Sequence, residues 1–356
     1  MSSRFRLASR EDGAGILKIM ESDVAKGDLQ LLYTRRPNPF DSFKKESPKS
    51  VVGIYEDAGD IVGTIAGIPR EMYIGGERRN VCYVTNMKRA ADRGGFLKWK
   101  DAFDAMYDPL DSQVYYCSVV KENAGVLKML KKKRKGMPYA VELDGYRTYI
   151  ISPTAPVRRP DSKLTFRRAT EEDSEAVLQF LKTWGIRRNL FPAFDSLDGT
   201  KVPTITDFYL LFDGDELVAV GALWDRSDSK QYVLKKCSGK MAFVRFLNPV
   251  ISLLGYIRLP KEGQQAAFTF LSFFFAKEDR EDYYRTFLYY IRREVKKTHA
   301  MFVLGTNDRN PKRAVLDKIR AISFDTTLCE IVMSEFRGAE KVEFDPTALE
   351  AECAYL

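Results

Sequence analysis

Arg93, Gly94 and Gly95 stand between a strand-like run, "NVCYVTNM", and an amphipathic stretch with helical spacing. Glycine has no Cβ, so Gly94-Gly95 let the backbone turn sharply and leave its N–H groups unshielded. A helix start already carries unpaired N–H donors and the positive end of the dipole. Arg93 adds a full charge. Holding a diphosphate is the chemistry that suits this arrangement. A strand-to-helix turn also favours glycine for packing alone, so the triplet by itself leaves both readings open.

A second group lies in "YYCSVVKENAGVLKMLKKKRKGMP". Tyr115, Tyr116 and Cys117 fall on a strand ending at Val120. Glu122 and Asn123 follow, with Asn123 placed as a helix N-cap. Val126, Leu127 and Leu130 form the buried stripe of the helix, and Gly136 and Pro138 stop it. Lys131 to Lys135 read as a solvated helix end favoured by the macrodipole, with a phosphate contact as the alternative.

Other chemistries are poorly supplied. The chain of 356 residues has one histidine, His299, in a predicted helix's last turn, where histidine serves as cap or dipole partner. The five cysteines are dispersed with no CxxC pair, which predicts reduced thiols in a cytoplasm and neither a disulfide framework nor a metal site. A net charge of +8 permits an anionic ligand but does not select nucleic acid, since no basic stripe is interleaved with aromatics. No apolar run reaches the ~18 residues of a membrane span, and "MSSRFRLASRED" has no signal-like apolar core.

The elements that must position these residues occur twice. "FRLASREDGAGILKIM" (5–20) and "FRRATEEDSEAVLQFL" (166–181) share Phe, Arg, Ala, Asp and Leu at matching places, and Ser9 corresponds to Thr170. Each reads as a short strand and a capped helix. Each is followed by two apolar runs around a Gly/Asp turn, a predicted hairpin. The first half continues with a strand (80–88), a helix (95–107), a strand (113–120), a helix (123–135) and closing strands (139–151). Such alternation predicts an α/β protein with a mixed sheet and helices on its faces. Same-order units half a chain apart indicate a duplication. Pro153, Pro156 and Pro160 mark the connector, giving domains at 1–152 and 163–356 joined by 153–162.

The element order, the Arg-Gly-Gly turn after the fourth strand and the strand-"KENA"-helix unit resemble the GNAT acyl-CoA N-acyltransferases, in tandem. The second motif matches that family's pattern well. The first is looser, with Phe96 where glycine or alanine is usual. The resemblance implies acetyl-CoA or another acyl-CoA as co-substrate and an amine of a small molecule or peptide as acceptor. It implies that the main chain of Met87, Lys88 and Arg89 pairs with the pantetheine arm. The N–H groups of Arg93, Gly94, Gly95, Phe96 and Leu97 would hold the diphosphate, and Asn123 would bond near the pantetheine. Leu130 stands where many members carry a tyrosine acid, so catalytic residues stay unassigned. Glu122 is a candidate base through water, and Tyr115, Tyr116 and Cys117 are candidates to border the thioester.

In the second half the corresponding loop is "KEDRED", whose four acids would repel a diphosphate. That copy is expected not to bind CoA in the usual way and to shape the acceptor site. Asn310 and Pro311 are expected to begin its last helix. The segment "GKMAFVRFLNPVISLLGYIRLP" (239–260) is read as covering the core or an acceptor groove in preference to lipid, because Pro249 and Gly255 interrupt it. Two further readings stay open: a non-catalytic binding module, and a transferase using aminoacyl-tRNA.

Overall fold

The computed structural model describes residues 3–22, 29–90, 97–160, 163–333 and 344–356. The first half runs β1 (Arg4–Leu7), α1 (Gly13–Ser22), β2 (Leu29–Thr34), α2 (Pro39–Glu46), β3 (Val51–Asp57), β4 (Asp60–Ile74) and β5 (Glu77–Arg89), then α3 (Trp99–Leu110), β6 (Val114–Val120), α4 (Ala124–Lys131) and β7 (Tyr139–Ile151). The second half runs β8 (Thr165–Arg168), α5 (Ser174–Gly185), β9 (Phe191–Pro192), β10 (Phe208–Asp213), β11 (Glu216–Trp224), β12 (Gln231–Cys237) and α6 (Gly239–Ile251), then β13 (Phe268–Ala276), α7 (Glu281–Thr298), β14 (Met301–Asn307), α8 (Lys312–Leu316) and β15 (Ala321–Val332).

The repeat extends to side-chain bonds. Ser9 N–H donates to Asp12 Oδ2 at 2.8 Å, and Thr170 N–H to Asp173 Oδ2 at 2.8 Å. Arg6 grips Asp12 with two bonds of 2.7 Å, and Arg167 grips Asp173 in the same way. Each carboxylate thus satisfies a helix-start N–H and clamps the strand before it.

The strands form one mixed sheet in the order β1-β3-β4-β5-β6-β15-β7-β14-β13-β11-β10-β8, with β9 paired to β4. The two halves exchange their final strands. β15 pairs antiparallel with β6, and β7 pairs antiparallel with β14, while β7 and β15 lie side by side over twelve paired positions. A second, two-stranded sheet also crosses the halves, joining β2 to β12. One face of the large sheet carries α3 and α4, whose core includes Val84, Phe103, Met106, Tyr115 and Ile331.

Several local expectations needed correction. The closing strands predicted at 139–151 are one continuous strand. The helix expected to reach 135 ends at Lys131, and its Val126, Leu127 and Leu130 are only half-buried. Proline does not stop α6: Pro249 sits inside it, and the helix exposes apolar residues instead of covering the core. As expected, His299 is the C-cap residue of α7, and its Nδ1 shares a hydrogen bond with Thr298 Oγ1 at 2.8 Å. Asn310 Oδ1 accepts from Lys312 N–H at 3.0 Å at the start of α8.

Candidate functional site: a splay between β5 and β6

In the front half, β5 and β6 run parallel but pair only at Val81–Val114, Cys82–Tyr115 and Tyr83–Tyr116. Beyond Tyr83 the strands diverge. The cause is local: the β4–β5 register shifts between Thr64 and Ala66, and Asn86 adopts a positive φ of 52°. A bulge of this kind turns a strand away from its neighbour.

Above the splay, α3 and α4 stand apart and leave a shallow, solvent-open groove with about 40 Å³ of free space, lined by Met87, Trp99, Phe103, Leu130, Lys132 and Arg134 among others. Phe103 also borders a narrow apolar gap of about 10 Å³ behind α3, between Ile65, Val84, Met106, Leu110 and Tyr115. The groove and the gap therefore meet at Phe103.

The residues singled out in the sequence distribute unevenly around this site. Met87 is half-buried and lines the groove. Lys88 Nζ reaches back to the Met20 carbonyl at 3.3 Å, and Arg89 is exposed at the strand end, opposite Gly63. Leu97 is buried against Gly63, where an added Cβ would lie 2.5 Å from Leu97 Cδ1, so only glycine permits that approach. Arg93, Gly94, Gly95 and Phe96 lie outside the described residues. Asn123 is exposed at the N-cap of α4, but its side chain makes no capping bond; its carbonyl accepts from Val126 and Leu127 N–H instead.

The catalytic candidates are not gathered at one point. Glu122 is exposed in the turn before α4. Tyr115 is buried beneath α3, stacked on Tyr107, with its hydroxyl unpartnered, and burial pushes that hydroxyl far up. Tyr116 points to the opposite face, against Tyr83, and is likewise pushed up by burial. Cys117 is buried opposite Cys329 of β15, and that neighbour together with burial pushes its thiol up. A buried protonated thiol is a poor nucleophile.

Sequence reasoning missed a hydroxyl pair at the point of divergence. Tyr83 Oη and Ser118 Oγ are 2.7 Å apart, bridging β5 and β6 just past their last paired residues. Burial pushes the Tyr83 hydroxyl up to about 12, so it keeps its proton at neutral pH. Only the parallel pairing of the two strands, which no spacing announces, brings them together.

On the same face as Tyr83 and Tyr116, the halves are joined by a buried charge cluster that also went unread. Glu46 Oε1 accepts from Arg35 Nη1 at 2.5 Å and lies 3.5 Å from Lys230 Nζ, while Glu46 Oε2 pairs with Arg70 Nη2. Burial alone would raise the Glu46 carboxyl, but Arg35, Lys230 and Arg70 together hold it well below the carboxylate range. Lys230 also donates to the main-chain oxygens of Ala354 and Leu356, each at 2.9 Å. Burial, with Arg35, Arg226 and Arg70 nearby, outweighs the pull of Glu46 and brings Lys230 down to about 7.

This makes a pH prediction. In the unfolded chain Lys230 titrates near its ordinary 10.5. Between about 7 and 10.5 the unfolded chain binds the extra proton, so this group makes stability rise with pH across that window. Below it both states are protonated and the contribution is flat. Urea midpoints at about pH 6.5 and about pH 9.5 should show that gain, and Lys230→Met should remove it.

In the rear half the same splay recurs and is filled. β13 and β14 pair only from Phe268–Met301 to Phe270–Val303, and Phe273 has a φ of 52°. The Phe273 N–H, freed from the ladder, donates to Glu352 Oε2 at 2.8 Å. Lys312 pairs with Glu350 and donates to the Phe274 carbonyl at 3.0 Å, and Ala351 N–H donates to Asn307 Oδ1 at 3.3 Å. Residues 350–355 thus sit where the front copy has its opening. The acidic turn before α7 is engaged as well: Asp279 pairs with Arg188 and accepts from Tyr284 Oη at 2.8 Å.

No family model matches the chain, and no curated protein matches it in sequence. Among solved structures, it is similar to Saccharomyces cerevisiae N-myristoyltransferase with bound myristoyl-CoA, with 8% identity, a TM-score of 0.58, and coverage of 93% of this chain and 78% of that one. A second structure of that enzyme with bound myristoyl-CoA matches with 9% identity and a TM-score of 0.53, covering 93% of this chain and 82% of the other. A GCN5-related N-acetyltransferase from Anabaena variabilis matches at 9% identity and a TM-score of 0.48, covering 91% and 72%. At these identities the likeness is one of fold. Two halves that begin alike, each with a bulged strand splayed from its parallel neighbour, give this protein a tandem α/β fold like that of the N-myristoyltransferase structures.

Proposed function

We propose that the chain is an acyl-CoA-dependent N-acyltransferase in which the front half (1–152) holds the donor and the rear half (163–356), joined through 153–162, shapes the acceptor site. The open front splay carries this reading. Past Tyr83, the edge of β5 from Val84 to Met87 no longer pairs with β6 and lies under the groove between α3 and α4. An amide-bearing pantetheine arm can pair along such an edge as a short strand would. The main chain of Met87 to Arg89 then guides the arm, and the sequence Arg93, Gly94, Gly95, Phe96 and Leu97 is the segment we assign to the diphosphate. Asn123, whose side chain is not spent on capping α4, faces solvent at the β6 end of the splay. Lys132 and Arg134 supply positive charge at the groove wall.

The filled rear splay and its engaged acidic turn support a single donor site per chain.

In the reaction, a neutral acceptor amine attacks the thioester carbonyl carbon. The C–N bond forms, the C–S bond breaks, the amine loses one proton, and CoA leaves as a thiolate that takes up one. Positioning of the amine against the carbonyl supplies much of the acceleration. Tyr83, protonated and hydrogen-bonded to Ser118 on the sheet face away from α3 and α4, is the donor we assign to a thiolate that reaches into the splay between β5 and β6. Glu122, exposed near the mouth, can receive the amine's proton through water.

Equilibrium binding of acetyl-CoA and octanoyl-CoA tests the donor assignment, with Gly94→Glu as control. Binding of both by the parent, lost in Gly94→Glu, is expected. No binding, or equal binding by both proteins, overturns it. Acceptor-dependent CoA release from an amine panel then separates an enzyme from a binding module, and Tyr83→Phe should lower kcat with little change in KM.

A further inference from the structure

Helix α6 presents its apolar stripe to solvent. Phe243 is 66% exposed, Phe246 79%, Val250 64% and Leu254, in the 3₁₀ turn that continues the helix, 65%. Their spacing of three and four residues puts them on one stripe with Leu247. Among the described side chains of the helix, the buried one is polar: Asn248, with Nδ2 donating to the Ile257 carbonyl at 2.7 Å and Oδ1 accepting from Leu259 N–H at 2.8 Å. The helix is therefore anchored by hydrogen bonds from behind while its hydrophobic side faces outward. An apolar face of this size on a folded chain marks a contact surface.

Charge identifies the contact. From Lys235 to Glu262 the chain has six basic residues (Lys235, Lys236, Lys240, Arg245, Arg258, Lys261) and one acid, Glu262. That acid is paired with Arg245 at 2.8 Å. The Asn248 bonds hold the segment bearing the exposed Arg258 alongside the helix. Arg320 donates to the Leu254 carbonyl at 2.8 Å and lies 4.7 Å from the ring centre of the half-exposed Tyr256. Arg258, Arg320 and the half-exposed Tyr256 thus lie beside the apolar stripe. Two copies meeting through this face would bring like charges together, whereas an anionic surface neutralises them. No helix among the described residues is long and apolar enough to cross a membrane.

We infer that α6 and the segment after it dock this protein on an anionic lipid surface. Phe243, Phe246, Val250 and Leu254 enter the headgroup–acyl boundary, and the flanking cations rest on the headgroups. The inference stands on surface chemistry and is independent of the acyl-CoA reading.

Co-sedimentation of the full chain with vesicles tests it, using phosphatidylcholine alone and phosphatidylcholine with about 30% phosphatidylserine. At least about tenfold tighter binding to the anionic vesicles is expected, weakening with added salt. The triple variant Phe243→Ser, Phe246→Ser, Val250→Ser should lose about tenfold or more while keeping the parent's melting temperature, since these side chains are exposed. Arg258→Glu with Lys261→Glu should abolish the preference for anionic vesicles. The inference is overturned if the parent binds neither vesicle, if the triple variant binds as well as the parent, or if the parent is a dimer that this variant converts to monomer.

Discussion

Glu46→Gln is expected to destabilise the fold by about 3–5 kcal/mol, the range for removing one partner from a buried ion-pair group. Glu46 is the carboxylate that Arg35, Arg70 and Lys230 share. Glutamine keeps the shape and some hydrogen bonds but cancels the charge, leaving the Arg35 and Arg70 guanidinium groups uncompensated, with Arg226 nearby, where water does not reach; Lys230, without the pull of Glu46, sheds its proton. Arg35 and Arg70 come from the front half and Lys230 from the rear, so the loss loosens the seam between the halves as well as the local packing. Denaturant unfolding measures the effect, and Arg35→Met added to Glu46→Gln should recover part of it by removing an uncompensated charge. A loss below about 1 kcal/mol in the single variant would show that Glu46 is not the counter-charge of the cluster.

Met87→Trp is expected to weaken acyl-CoA binding about hundredfold, or about 2.8 kcal/mol, with a melting temperature close to the parent's. Met87 is half-buried at the end of β5 and forms part of the groove wall with Trp99, Phe103 and Leu130. An indole there occupies the space between α3 and α4 without entering the closed core, so obstruction and folding separate. Calorimetric titration with octanoyl-CoA reads the affinity directly. Unchanged affinity would remove the pantetheine arm from this groove. A comparable loss in acetyl-CoA and octanoyl-CoA binding would place the obstruction on the shared arm instead of the acyl chain.

The two effects differ in origin. The first concerns charges that satisfy one another only because the halves are packed together. The second concerns a gap between helices that the sheet keeps apart. β15, inserted beside β6, adds a strand's width between β6 and β7. This broadens the floor beneath α3 and α4 and leaves the groove lined from β5 across β15 to β7, with Met87 at one side and Tyr139 and Ala140 at the other.

Much of this protein was legible from local sequence. The capped strand-helix starts at Ser9 and Thr170, the hairpins that follow, the α3 stripe of Trp99, Phe103 and Met106, and the α7 stripe through Phe287 and Ile291 all depend on contacts within a few residues. Capping and amphipathic spacing are written into adjacent residues, so a reader of the chain can recover them and the duplication they reveal. Tertiary structure alone decided the exchange of β7 and β15, because main-chain N–H and C=O groups are alike in every strand and do not name their distant partners. It also decided which copy stays open, since residues 350–355 fill the rear splay from the far end of the chain. Tyr83 and Ser118, and Glu46 with Lys230, become partners in the same way. A hydroxyl or a charge has no spacing that distinguishes solvent from a buried mate; only folding brings the mate within reach.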